Sequence, residues 1–210
     1  MLQPAWSLPF VCSLLQVLTT ALMQATLLGL VYARFASPSS RAVTIRFSSV
    51  LAMFRDVDGL YHLAFRVANM RRHQVLQPDV RMLLMRQETV CDGSQMEFRY
   101  HELPLTQISG KGRLWLGVPS VMAHKIDETS PLYDISKDEM EQGDYEFVVL
   151  LDGLDESTGT AMQARHSYFP SDIRWGCTFA GVLVRAPSGN LRADFSKLDL
   201  TRLIDEHSTV

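Results

Sequence analysis

The chain has 210 residues, with 20 Lys and Arg set against 23 Asp and Glu for a formal net charge of −3. That balance argues against a nucleic-acid partner, which calls for a basic stripe, so any basic contact surface must be local. Cys12, Cys91 and Cys177 lie far apart, are odd in number and form no C-x-x-C pair, which suggests neither a disulfide framework nor a metal centre and fits a reducing compartment.

From Trp6 to Tyr32 no side chain is charged, and Arg34, Arg41 and Arg46 follow closely. The run exceeds the roughly 20 apolar residues needed to cross a hydrocarbon core, with Gln16, Thr19, Thr20 and Gln24 as polar guests. It predicts one transmembrane helix, with Met1 on the outer side and residue 34 onward in the cytoplasm by the positive-inside rule. A cleaved signal peptide fits less well, because no basic segment precedes the run and no small-x-small site follows it. Thr20, Gln24, Leu28 and Tyr32 recur every four residues and share one face, which by pattern alone is equally an ordinary packing stripe.

The sequence SPSS at 37–40 reads as a linker, and the rest, about 170 residues, suits one domain. Eight short segments rich in β-branched and aromatic residues follow: AVTIRFSSVLAMF, GLYHLAFRVA, DVRMLLMRQETV, MEFRYHELPL, RLWLGVP, YEFVVLLDGL, TAMQARHSYF and FAGVLVRAP. Asp58-Gly59, Asp92-Gly93, Gly110-Lys111-Gly112 and Ser188-Gly189-Asn190 supply turns between them. The expected fold is one transmembrane α-helix followed by an all-β, immunoglobulin-like (E-set) sandwich. The expected boundaries are the helix at 6–35, a linker and first cytoplasmic segment at 36–48, the sandwich at 49–201 and a tail at 202–210.

His62, His73, His101, His124 and His166 fall singly, and no G-x-S-x-G, H-E-x-x-H, P-loop or G-x-G-x-x-G occurs. Each histidine reads more readily as a structural residue than as a base or metal ligand. Asp127-Glu128 and the acidic stretch from Asp138 to Glu146 read as solvated loops. No catalytic residue, metal or cofactor is expected, and a tethered enzyme ranks below an ion-handling or interaction protein.

Ala33-Arg34-Phe35-Ala36, Thr44-Ile45-Arg46-Phe47-Ser48 and Phe65-Arg66-Val67-Ala68-Asn69-Met70-Arg71 occur in fixed order. They are followed by H-x-I-D-E-x-S-P-L from His124 to Leu132, Q-A-R-x-S-Y from Gln163 to Tyr168, and I-x-W-G from Ile173 to Gly176. This combination resembles the inward rectifier potassium channel family over about residues 16–200. The resemblance implies an inner pore-lining helix over Gln16 to Phe35, a cytoplasmic domain that tetramerises around an ion path, and potassium as the permeant species. Homo- or hetero-tetramers with channel subunits and contact with membrane lipid are the partners it implies. The T-x-G-Y/F-G filter that the family places before the inner helix does not occur in these residues. The expectation is that this polypeptide alone does not conduct selectively, and a pore-less modulator that joins full-length subunits is the alternative.

By the same resemblance, Thr20, Gln24, Leu28 and Tyr32 line the pore. Gln24 stands where strong rectifiers carry an acid, so weak rectification is expected, while Leu28 and Tyr32 fall at the gate and Thr20 at a hinge glycine. Asp152, Gly153, Leu154 and Gly159 fall in the loop at the apex of the cytoplasmic vestibule. Asp152 aligns with a pore-facing acid, whereas Gln77 aligns with another and is neutral. Without the resemblance, D-G-L-D-E-S-T-G reads as a surface turn. Arg34, Arg41, Arg46, Arg71 and Arg72 are what remains of a phosphoinositide site, weakened because Ser37-Pro38-Ser39-Ser40-Arg41 replaces R-P-K-K-R. Arg34 and Arg41 read equally as membrane anchors, and Arg71 as an intersubunit ion-pair residue.

Overall fold

The computed structural model describes residues 7–35, 44–71, 73–89, 96–110, 113–157, 159–187 and 189–204. They fall into two compact units, a helix and a β domain. Helix α1 runs Ser7–Phe35 and ends on Arg34 in its last turn, where a cation complements the exposed carbonyls. Its stretch from Leu8 to Arg34 is long and apolar enough to cross a membrane. The hydroxyls of Ser13, Thr19, Thr20 and Thr26 each donate to a carbonyl three or four residues earlier. These four hydroxyls are thereby satisfied within their own helix.

The second unit holds strands β1 (Ile45–Phe47), β2 (Leu51–Arg55), β3 (Tyr61–Asn69), β4 (Val75–Thr89), β5 (Met96–Leu103), β6 (Leu105–Gln107) and β7 (Ser120–Ile126). Then come the short helix α2 (Lys137–Gln142), β8 (Tyr145–Asp155), β9 (Ala161–Tyr168), β10 (Ile173–Trp175), β11 (Cys177–Phe179), β12 (Leu183–Arg185), β13 (Leu191–Ala193) and β14 (Thr201–Leu203). One sheet has the order β10-β2-β3-β7-β6 with β1 also on β3, the other the order β5-β4-β8-β9, and β11-β14 and β12-β13 form two-stranded ribbons. All pairings are antiparallel except that of β10 with β2. Leu51, Met53, Leu63, Phe65 and Val67 from the first sheet meet Met82, Leu84, Phe147, Val149, Leu151 and Tyr168 from the second, giving the expected sandwich core. Each such buried side chain contributes about 1.5–3 kcal/mol.

Strand β3 is buried on both faces, which is why GLYHLAFRVA is almost continuously apolar. Its second face, with Ala64 beside Ala52 and Phe54, packs under Phe179. Arg66 on that face is 3 % exposed. Its guanidinium donates to the carbonyls of Ala180, Lys197 and Leu198 and lies over the Phe179 ring. Burial pulls its pKa down to about 10, against a weaker opposing pull from Asp199.

Several boundaries differ from the sequence reading. AVTIRFSSVLAMF is two strands, because Ser48 turns inward at 0 % exposure, donates to the Val50 carbonyl and accepts from the Arg66 amide. MEFRYHELPL breaks at Pro104, which lacks an amide donor, and the chain there passes from one sheet to the other. RLWLGVP is the β6–β7 connection rather than a strand. Leu116 there is buried and a Cβ on Gly117 would come within 2.1 Å of the Trp115 ring. The stretch from Asp138 to Glu146 is not a loop: Ser136 and Glu139 form a capping box, Met140 is buried and α2 results. The last strand reaches Leu203, so the expected boundary at 201 falls inside it. Gly59 and Gly189 take the expected left-handed turn conformations. Asp92, Gly93, Lys111, Gly112, Ser188 and the linker at 37–40 lie outside the described residues.

Candidate functional site

Two groups of residues named from sequence lie on separate units. On α1, Thr20, Gln24, Leu28 and Tyr32 follow one another at four-residue spacing and all are exposed. Leu28 and Tyr32 are about three-quarters exposed. The Thr20 hydroxyl is already committed to the Gln16 carbonyl at 2.7 Å. Gly29 leaves open space where a Cβ would stand.

The second group assembles where β4 and β8 pair. Their register runs Leu76 to Leu154 and then jumps so that Asp79 faces Asp152, leaving Gln77 and Pro78 as a bulge. Gln77 takes φ 49°, a left-handed conformation unusual for a residue with a side chain. Gly153 is needed opposite, since a Cβ there would come within 2.4 Å of Val75 and 3.3 Å of the Leu76 carbonyl. Thus Gln77, Asp152, Gly153 and Leu154 are neighbours across one pair of strands. Asp152, Gly153 and Leu154 were expected in a loop and are strand residues instead; the turn begins after Asp155. It is closed by the Gly159 amide on the Asp155 carbonyl and the Asp155 amide on the Thr160 carbonyl. Gly159 takes φ 64° in that turn.

Three side chains that sequence reasoning missed complete this patch. Arg81 donates to Asp152 at 2.7 Å and lies 3.9 Å from Asp79, and the Gln163 amide donates to the other Asp152 oxygen at 2.7 Å. The hydrogen bond to Asp152 raises the Arg81 pKa. Alternation along DVRMLLMRQETV puts Asp79 and Arg81 on one face, but the partner strand that completes the ion pair is set by the bulge.

Arg34 belongs to the helix, Arg46 to β1 and Arg71 to the turn after β3, whereas Arg41 and Arg72 lie outside the described residues. Arg46 and Arg71 are exposed. The Arg71 amide donates to the Asn69 side chain.

His62, His124 and His166 serve packing and hydrogen bonding. His124 is buried; its Nδ1 donates to the Pro104 carbonyl at 2.9 Å, so Nε2 accepts from the Ser130 hydroxyl at 2.7 Å. Ser130 Oγ in turn accepts from the Leu132 amide, which makes H-x-I-D-E-x-S-P-L a folding motif. His62 stacks on Phe54, and His166 stacks on Phe47 and meets Tyr168 edge-on. Asp56, Asp58 and His62 bring ligand atoms within 4.8 Å of one another, yet Asp58 is held by Lys125 at 2.6 Å.

Residues 45–210 match the family model described as the inward rectifier potassium channel C-terminal domain. The chain is 32% identical over 194 residues to inward rectifier potassium channel 4 of Homo sapiens, covering 92% of this chain and 43% of that protein. It is 34% identical over 170 residues to G protein-activated inward rectifier potassium channel 3 of Mus musculus, covering 81% and 43%. Over 196 residues it is 30% identical to G protein-activated inward rectifier potassium channel 2 of Rattus norvegicus, covering 93% and 44%. The chain therefore spans less than half the length of these relatives.

Proposed function

This chain belongs to the inward rectifier potassium channel family, and we propose that it supplies the pore-lining helix, the gate and the cytoplasmic ion vestibule of a potassium channel subunit. The observation that carries this reading is the match of the entire β domain to the family model, together with the identity that extends into the helix. The relatives are named as ion channels rather than enzymes, and the role assigned here involves no catalysis. Four copies, of this chain or of this chain with other channel subunits, surround a potassium path, with α1 in the membrane and the β domain in the cytoplasm.

In this arrangement Thr20, Gln24, Leu28 and Tyr32 face the ions, and Leu28 with Tyr32 closes the path by excluding water. Gln24 is neutral, so it holds multivalent blocking cations more weakly than a carboxylate, and outward current is weakly rectified. Gln77, Asp152, Gly153, Leu154 and Gly159 border the vestibule. Arg34, Arg41, Arg46, Arg71 and Arg72 are the residues open to an anionic lipid headgroup such as a phosphoinositide, each adding about 1 kcal/mol near such a surface.

Patch recordings from channels containing this chain test the reading. Gln24→Asp should deepen block by internal magnesium or spermine about tenfold, because a ring of carboxylates concentrates cations in a low-dielectric pore. Equal block in both forms would mean that this helix face does not meet the ions.

A further inference from the structure

The bulge at Gln77 and Pro78 advances β4 by one residue against β8, so that Asp79 stands directly across from Asp152. Directly opposed residues of an antiparallel pair project on the same side of the sheet, and Arg81, two residues along, shares that side. We propose that Asp79 is the second acid of the vestibule in place of the neutral Gln77, and that Arg81 acts as a built-in counter-ion which competes with permeating and blocking cations for Asp79 and Asp152. The proposal rests on the reading that this face borders a fourfold ion path.

The geometry carries the competition. Arg81 holds one Asp152 oxygen at 2.7 Å and stands 3.9 Å from Asp79, while Gln163 occupies the second Asp152 oxygen. The Asp79 side chain is 73% exposed and that of Asp152 33% exposed, so a cation in solution reaches both carboxylates. A multivalent cation that takes the carboxylates must displace the guanidinium, whereas a monovalent ion gains too little to do so. Arg81 offsets part of the charge of Asp79 and Asp152, which gives a ring weaker than these two acids alone would make. Weak block therefore has a source in the cytoplasmic domain separate from Gln24.

Binding of hexaamminecobalt(III) to the purified full chain, measured by titration calorimetry at low salt, tests this directly. Arg81→Gln should tighten binding about tenfold, Arg81→Lys should match the parent chain, and adding Asp79→Asn or Asp152→Asn to Arg81→Gln should each remove the gain. Arg192→Gln on the β12–β13 ribbon changes net charge equally and should leave affinity unchanged. Equal affinities for Arg81→Gln and Arg192→Gln would overturn the proposal. So would a gain that survives Asp79→Asn. Sedimentation of the same samples separates the two claims: a monomeric chain would sink the fourfold vestibule while leaving the Arg81 comparison to decide the counter-ion.

Discussion

The guanidinium of Arg66 lies 4.7 Å from the centre of the Phe179 ring, so a charge rising from the middle of β3 is roofed by the segment that returns after β10. Together with the Ser49 amide bonded to Asp199, it ties the C-terminal ribbons to the sheet.

Arg66→Met should therefore destabilise the domain by about 3 kcal/mol, since it strips partners from three carbonyls that remain in place. Arg66→Lys should recover only part of this, because an ammonium on a single stem cannot span all three. Urea unfolding followed by tryptophan fluorescence measures both, and a loss below half a kcal/mol for the Met variant would mean the segment docks without it.

Acid should weaken the fold through His124 and His166. Burial lowers both below the usual 6.5, so each is neutral when folded, and the unfolded chain takes up protons first as pH falls below 6.5. Stability is then full above that value and drops as pH falls toward the folded pKa. His124→Gln should flatten this slope in urea midpoints taken across that fall in pH.

Gly153→Ala should cost about 2 kcal/mol, because the added methyl meets Val75 and the Leu76 carbonyl across the bulge. Amide exchange at Leu76, Asp79 and Leu154 should speed up with it, while that of β3 stays slow.

Removing the cap of α2 with Ser136→Ala should lose about 1 kcal/mol, since the Glu139 amide loses its acceptor and the Glu139 carboxylate loses the Ser136 hydroxyl, keeping only the Ser136 amide. Hydrogen–deuterium exchange confined to Lys137–Gln142 would locate the loss.

The sandwich was legible where alternation or continuous burial is strong, as in β3, β8 and β9. It was misread where apolar residues serve a loop: Leu116 fills the core and Trp115 covers Gly117 from a segment with no ladder partner. The capping box of α2 was present as Ser136-x-x-Glu139 but hidden by the surrounding acids. At the β4–β8 bulge, Asp152 and Gln77 could be named from resemblance, whereas Asp79 and Arg81 depend on an inter-strand register that a one-residue bulge resets and no local pattern encodes.

The left-handed Gln77 followed by Pro78 also makes the alignment of β4 on β8 self-correcting. Sliding β4 one way would force Pro78 into the slot that demands positive φ, which its ring forbids, and sliding it either way would turn Met82 out of the core. After any transient opening the two strands re-zip to a single alignment. Asp79 and Arg81 thus return each time to the same side as Asp152, and Met82 to the core.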